Sequence, residues 1–127
     1  MTKIIIQTKN APAPIGPYNQ AVLTGNILYT SGQIAIDPAT GELVLDNIQQ
    51  ETRLVMENLK AILNEAGMSF ENVVKTSIFI KDMHNFSKIN EVYATYFNET
   101  TAPARETVEV ANLPKFVNVE ISVIAVG

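Results

Sequence analysis

The sequence contains no cysteine among its 127 residues. Disulfides, thiolate metal sites and cysteine nucleophiles are therefore excluded. A basic surplus is also missing, because nine lysines and arginines stand against thirteen acidic residues, which gives a net charge of -4. This balance argues against a general nucleic-acid binder, which normally carries a basic surface.

Long hydrophobic runs are absent as well. The N-terminal stretch MTKIIIQT has only three consecutive apolar residues, and no later segment is long enough to cross a bilayer. We therefore expect a soluble, cytoplasmic protein. The only histidine, His84, has no clustered partners in the sequence, so no metal site is expected.

The composition that remains is that of a globular protein. Hydrophobic residues make up 46% of the chain and charged residues 17%. A chain of this length can bury a real core, and we expect one domain over residues 1–127.

The first half of the chain predicts strands and one helix. Strands are expected at residues 3–7 and 26–31, with 34–36 as a candidate continuation. A proline-rich loop lies between them, and DPATGE at 37–42 is typical of a turn. Asp46 or Asn47 can cap a helix whose apolar residues recur at spacings of three and four, and Gly67 is suited to its end.

The second half predicts three strands and one helix. Residues 73–81 are rich in β-branched and aromatic side chains, and 105–110 and 117–126 alternate in polarity. A helix is expected to begin near Asn85, with an apolar stripe made of Phe86, Ile89, Tyr93, Tyr96 and Phe97. This order of elements predicts an α+β fold in which two helices pack on one face of a mixed sheet.

The last two strands have the spacing of a hairpin. With Val110 opposite Val117, the residues Val108 and Val110 face the helices, and Arg105 and Thr107 share the opposite face with Glu120. Arg105 and Glu120 are then diagonal neighbours, and an ordinary cross-strand ion pair is the simplest interpretation.

The opposite face of the sheet is only partly polar. Ile124 and Val126 add apolar area to it, and no third helix is predicted to cover it. We therefore expect another subunit to bury this face, with Arg105 and Glu120 at or near the interface.

Seven stretches carry a family resemblance, namely IGPYNQA at 15–21, TSGQI at 30–34, GELV at 41–44, VVKTSIFIKD at 73–82, INEVYATYF at 89–97, PARETVEVANLPK at 103–115 and VEISVIA at 119–125. In this order and spacing the chain resembles the RidA family, also called the YjgF or reactive intermediate deaminase proteins. The resemblance implies a chorismate-mutase-like fold that assembles into a homotrimer with sites in the clefts between subunits.

The resemblance also implies an activity. Family members with deaminase activity hydrolyse 2-imino acids, such as 2-iminobutanoate and 2-iminopropanoate, and their enamine tautomers to 2-keto acids and ammonia. Pyridoxal-phosphate-dependent threonine and serine dehydratases produce these substrates. The resemblance implies no metal and no organic cofactor.

Site residues are carried over by position. Arg105 is expected to bind the substrate carboxylate, for which a planar guanidinium is well suited, and Glu120 to position or deprotonate the attacking water. The remaining expected contacts are Tyr18, Ser31, Gly32, Asn90, the backbone of Thr107, and Pro114. This chain departs from many relatives at Thr107, where cysteine is frequent, and at Ser122, where an acidic residue is common.

Two other functions stay open from the sequence. One is a non-enzymatic regulatory trimer that binds small molecules in the same clefts. The other is a ribonuclease or translation inhibitor, an assignment that some members carry and that the acidic balance of this chain disfavours.

Overall fold

A computed structural model describes residues 2–127. Its regular elements are β1 Lys3–Ile6, β2 Ala21–Thr24, β3 Ile27–Thr30, α1 Ile48–Glu65, β4 Val73–Ile80, α2 Phe86–Ala94, β5 Ala104–Glu109 and β6 Val119–Val126. The strands form one sheet in the order β1-β2-β3-β6-β4-β5, in which β4 and β5 are parallel and the other neighbours antiparallel. Among residues 2–127, neither helix combines the length and hydrophobicity that crossing a bilayer requires.

Helix α1 begins and ends where the sequence predicts. The Asn47 side chain accepts a hydrogen bond from the Gln50 N–H at 2.9 Å, which satisfies one of the free donors of the first turn. Gly67 lies just past the helix with a φ of +73°, the left-handed conformation common after a helix end. The apolar stripe of α1 is buried against the sheet and α2.

Both helices lie on the same face of the sheet. Strand β6 directs Val119, Ile121, Val123 and Ala125 to this face, and all four are buried. Ile78 and Ile80 of β4 join them in the same core. The predicted α+β fold, a mixed sheet with two helices on one face, is confirmed.

The predicted closing hairpin is wrong. Strand β5 pairs in parallel with β4, and β6 inserts between β3 and β4. The segment between β5 and β6 does not form a tight turn, because it buries Leu113 and Val117 in a small second cluster with Ile34. Strand β6 buries every second residue and suits the centre of a sheet, whereas the mostly exposed β5 suits an edge.

The face assignment of β5 is wrong for the same reason. Arg105 is in register with the buried Thr76, and Thr107 with Ile78, so both lie on the helix side. Val108 is in register with Phe79, on the face away from the helices, and Glu120 pairs with the same Phe79. As an edge strand, β5 has no core on either side that requires its valines to point inward.

Strand β2 was not predicted from the sequence, and residues 34–36 do not form a strand. Gly25 adopts a φ of +59° in the short turn that joins β2 to β3. AVLT and ILYT separated by Gly-Asn are typical of a β-hairpin, so the signal was present. Ile36 makes only an isolated bridge with Leu43.

Neither helix covers the second face of the sheet. The small cluster around Ile34 and Leu113 packs against Phe79 at one end of it. Tyr29 and Val108 remain largely exposed on the same face. This leaves apolar area open to solvent in an isolated chain.

Candidate functional site

Glu120 lies on the uncovered face in a confined position. Its carboxyl group packs against the backbone of Gly32, where an added Cβ would lie 2.7 Å from the Glu120 Cδ. Partial burial raises the pKa of Glu120 above its usual value, because the ionised carboxylate loses hydration. A carboxylate with its pKa raised in this way is suited to act as a base.

A cavity of about 370 Å³ lies beside this carboxylate. Its walls bring together five of the residues predicted for the site, namely Tyr18, Ser31, Gly32, Pro114 and Glu120. The Ser31 hydroxyl donates to the Asn19 carbonyl oxygen at 2.6 Å, so its oxygen remains available as an acceptor. One half of the predicted site is therefore preformed within a single chain.

Gln20 holds the proline-rich loop that forms one wall of this cavity. Its side-chain amide nitrogen donates to the carbonyl oxygens of Thr8, Ala11 and Pro12, at 3.0, 3.2 and 2.9 Å. Its amide oxygen accepts from the Thr8 N–H at 2.8 Å. Gln20 is only 3% exposed. Four hydrogen bonds from one buried side chain fix the loop against the sheet.

Arg105 lies apart from this cavity, in the other half of the predicted site. Its Nη1 donates to the Asn90 Oδ1 at 2.6 Å, and its Cζ lies 5.5 Å from the Phe86 ring centroid and 5.2 Å from that of Tyr93. These are cation–π distances. The guanidinium borders a groove of about 710 Å³ that Asn90 and Pro103 also line. Contacts from α2 thus orient a cation at an open groove.

Tyr93 is itself held in place. Its hydroxyl donates to the Thr76 Oγ1 at 3.1 Å, and burial raises its pKa, so the ring is neutral at physiological pH. The apolar periodicity of α2 predicts that Phe86 and Tyr93 are buried but does not connect them with Arg105. Only the position of β5 beside α2 reveals this connection.

Arg105 and Glu120 do not meet within one chain. They lie on opposite faces of the sheet, Arg105 beside α2 and Glu120 beside Gly32. The predicted ion pair between them is therefore wrong for the isolated chain. The two halves of the predicted site could act on one small molecule only if two copies of the chain contribute.

Thr107 lies on the edge strand between these halves. Val110 donates its N–H to the Ile80 carbonyl oxygen of β4 at 2.9 Å. Because backbone groups alternate in direction along a strand, those of Arg105 and Thr107 point to the free edge of the sheet. The Thr107 Oγ1 is buried, and it has no hydrogen-bond partner among residues 2–127.

The orphaned hydroxyl leads to a stability prediction. We expect Thr107→Val to raise the free energy of unfolding by about 1 kcal/mol, because it removes a buried polar group without a partner. Urea denaturation of the variant and the wild type measures the difference. The control Thr101→Val, at an exposed threonine, is expected to change little. A loss of stability at Thr107 would indicate a partner for the hydroxyl outside this chain.

The raised pKa of Glu120 leads to a pH prediction. The folded state binds the Glu120 proton more tightly than the unfolded state, so ionisation at neutral pH weakens the fold. We expect Glu120→Gln to be more stable than the wild type at neutral pH. This gain shrinks as the pH falls through the raised pKa and disappears below the usual carboxyl value of about 4.3.

Unfolding curves recorded between about pH 4 and pH 8 test this prediction. Glu42→Gln, at an exposed glutamate in the 37–42 turn, is the matched control and should give no such pH dependence. An unchanged or reduced stability of Glu120→Gln at neutral pH would contradict the prediction.

The described residues offer no evident metal site. Over residues 2–127, no group of three histidine, aspartate or glutamate side chains is arranged to hold an ion. The polar groups that the two halves of the predicted site offer are the Glu120 carboxylate, the Arg105 guanidinium and the free backbone groups of β5.

Comparisons with known proteins identify the family. The model of the Endoribonuclease L-PSP family matches residues 8–127. A RutC family protein of Synechocystis is 54% identical over 99% of this chain and 98% of its own. TdcF of Escherichia coli, whose name describes a reactive intermediate deaminase, is 48% identical over 98% of this chain and 97% of its own.

Solved structures agree with the sequence matches. A Rid family protein of Yersinia pestis superposes with a TM-score of 0.96, at 52% identity, over 99% of this chain and 100% of that one. The structure of E. coli TdcF with bound serine gives a TM-score of 0.92 at 47% identity, over 98% of both chains. These matches show that the chain belongs to the RidA/YjgF family.

Proposed function

We propose that this protein is a deaminase that hydrolyses 2-imino acids, such as 2-iminobutanoate and 2-iminopropanoate, to 2-keto acids and ammonia. The observation that carries the proposal is the confined carboxylate of Glu120, whose pKa burial raises, at the wall of a preformed cavity. A base of this kind is what water addition to an imine requires.

Arg105 meets the second requirement, which is to bind the substrate carboxylate. Its guanidinium is permanently charged and offers paired donors that match a carboxylate. Asn90 and the two aromatic rings orient it before the substrate arrives, which lowers the entropy cost of binding. The TdcF structure with bound serine supports the proposal, because serine carries the same α-carboxylate.

The chemical step needs only proton transfers and water. Glu120 takes a proton from water as the water oxygen attacks the imine carbon, and it returns this proton to the imine nitrogen, which gives a carbinolamine. The same carboxylate then takes the hydroxyl proton of the carbinolamine and passes it to the amino nitrogen, so that the C–N bond breaks, ammonia leaves and the keto group forms. The backbone groups of Thr107, which are free at the strand edge, are proposed to bind the nitrogen.

The complete site requires two copies of the chain, and we propose a homotrimer. Glu120 and its cavity come from one copy and Arg105 from its neighbour. The partly apolar second face and the free edge of β5 offer surfaces for this contact.

A coupled assay tests the proposal. A threonine or serine dehydratase generates the imine while semicarbazide traps the part that escapes hydrolysis. We expect the purified protein to speed keto-acid formation and to lower the amount of trapped product. If the rate equals that in buffer, the deaminase proposal is wrong.

The two alternatives give different results. A binding protein without activity would bind a 2-keto acid in calorimetry and leave the imine untouched. A ribonuclease, the activity in the name of the matching family model, would cleave RNA after stringent purification and lose this activity in a site variant.

Gly32→Ala is expected to reduce imine hydrolysis by about 10²-fold, because its methyl group would displace the Glu120 carboxyl from its position. The stability should change little, since the clash is with the end of a flexible side chain. The kcat/KM of the purified variant and its urea denaturation curve measure the two effects.

Gly25→Ala is the matched control, with the opposite expectation. Gly25 has a φ of +59° and open space around it, so alanine there costs about 1 kcal/mol of stability. Its activity per folded protein should stay at the wild-type level. Equal losses of activity in both variants would show that Gly32 acts through folding alone.

A further inference from the structure

Helix α1 contains a buried carboxylate that the proposed reaction does not use. Glu51 lies in the first turn of the helix and has no exposed surface. Its Oε2 accepts a hydrogen bond from the Asn118 backbone N–H and its Oε1 from the Asn118 side-chain amide, both at 2.8 Å. It forms no ion pair with a basic side chain among residues 2–127. Burial of a carboxylate without a counter-charge is costly, so its retention requires these two hydrogen bonds.

Asn118 directly precedes strand β6 and is held from two sides. Its N–H donates to Glu51 of α1, and its carbonyl oxygen accepts from the Lys81 N–H, just after β4, at 3.0 Å. The first residues of β6 therefore cannot shift along the sheet or away from it without breaking one of these contacts. Glu120 is the second residue of β6, so the same contacts hold its backbone.

A second anchor lies on the other side of Glu120. Ile121 exchanges two backbone hydrogen bonds with Gln33, at 2.8 and 3.1 Å. Between the anchors at Asn118 and Ile121, the Glu120 carboxyl packs against Gly32, where an added Cβ would lie 2.7 Å from the Glu120 Cδ. A contact this close leaves little room for the strand to move. The position of the carboxyl therefore depends on both anchors.

The chain that leads to Asn118 is strained. Lys115 and Phe116 have φ values of +54° and +57°, which residues other than glycine adopt at a cost and only where the surrounding structure holds them. The segment that contains them is held at one end by hydrogen bonds from the Lys81 Nζ, and at the other end by the contact of Asn118 with Glu51. Without the acceptors of Glu51, this strain would relax and displace the start of β6.

We propose that Glu51 is a positioning residue for imine hydrolysis, because through Asn118 it holds the start of β6 and so keeps the Glu120 carboxyl in its place beside Gly32. The inference rests on the proposed deaminase function and adds a residue that does not touch the substrate. Arg105, which is proposed to bind the substrate carboxylate, lies on the opposite face of the sheet. Loss of Glu51 should therefore slow the chemical step and leave substrate binding intact.

Two substitutions of Glu51 separate its hydrogen bonds from its packing. Glu51→Met keeps an unbranched side chain of similar size but removes both acceptors. We expect it to lower kcat per binding site about 10- to 100-fold and to change KM by less than about twofold. Calorimetric titration with 2-ketobutyrate counts the intact sites, so a loss of folded protein is not read as a lower kcat. Glu51→Gln should keep most of the activity, because the Asn118 amide can turn its oxygen toward the new donor.

An exchange of the two partners provides a rescue. Asn118→Asp alone places a second carboxylate against Glu51, and we expect kcat per site to fall as in Glu51→Met. Combining Asn118→Asp with Glu51→Gln should restore it, because the glutamine amide donates to the new carboxylate and its oxygen still accepts from the backbone N–H of residue 118. The double variant has the same net charge as the wild type, so the restored rate would report the geometry of the contact.

Thr52→Val is the matched control. Thr52 is also fully buried near the start of α1, but its hydroxyl donates only to the Ile48 carbonyl oxygen of the same helix, at 2.7 Å. This variant can lose stability but should keep kcat per site. An unchanged kcat per site in Glu51→Met, an equal loss in Thr52→Val, or a double variant as slow as Asn118→Asp each overturns the role of Glu51 and leaves the deaminase function standing. If the wild type hydrolyses no imine, both proposals are wrong.

Discussion

Arg105→Ala is expected to lower kcat/KM for 2-imino acids by about 10²- to 10⁴-fold. Without the guanidinium, the substrate carboxylate would lose two charge-assisted hydrogen bonds, each of which contributes about 1.5–3 kcal/mol. The loss should be mainly in substrate binding, so KM rises and the apparent affinity for a 2-keto acid falls. Steady-state kinetics and calorimetry measure these two quantities.

Two further variants make the result specific to the position of the charge. Arg105→Lys keeps the charge but loses the paired donors and the guanidinium contacts with the Phe86 and Tyr93 rings, so a large part of the loss should remain. Arg53, on the exposed side of α1, is the only other arginine. Arg53→Ala should keep full activity. A fully active Arg105→Ala protein would show that the carboxylate is bound elsewhere.

Mixing two inactive variants is expected to restore activity. Arg105→Ala retains Glu120, and Glu120→Gln retains Arg105, so an interface between the two variants can contain both intact side chains. Random assembly of equal amounts should give roughly a quarter of the wild-type activity. This result follows from the opposite faces on which the two residues lie.

The mixture is prepared by unfolding the two proteins together and refolding them, and its activity is compared with each variant refolded alone. Refolded wild type sets the full value. A second mixture, in which one partner carries both substitutions, is the control and should stay inactive with the Arg105→Ala variant, because no interface then has both side chains. If the first mixture also stays inactive, the site lies within one chain.

The sequence predicts those elements whose periodicity has one interpretation. The apolar residues of α1 fall on one face only if the segment is a helix, and the cap at Asn47 marks where this helix begins. The alternation of β6 likewise identifies its buried face, because four of its residues are apolar on one side.

The errors come from β5, whose alternation has two interpretations. The alternation of polar and apolar residues along β5 predicts that Arg105 and Val108 lie on different faces of the sheet. It does not predict which of these faces packs against the helices. Arg105 packs on the helix side because the rings of α2 accept a cation there. Proximity in sequence favoured a hairpin, while the path of the chain through Leu113 and Val117 carries β6 past β4.

The candidate site was predicted residue by residue, but its division into halves was not. The family motifs predicted Glu120 and Arg105 as site residues. The sequence around each residue does not indicate that the two lie on opposite faces of the sheet. The supporting role of Gln20 was not predicted, although the residue lies in the IGPYNQA stretch, because the sequence does not show which backbone groups its side chain binds.

The opposite placement of Arg105 and Glu120 has a genetic consequence. Each copy of the chain would take part in two sites, because it would contribute Arg105 to one site and Glu120 to the other. A copy damaged at both residues would disable two sites in any assembly that incorporates it. We therefore expect such an allele to be partly dominant over the intact gene, whereas an allele that only prevents folding would be recessive.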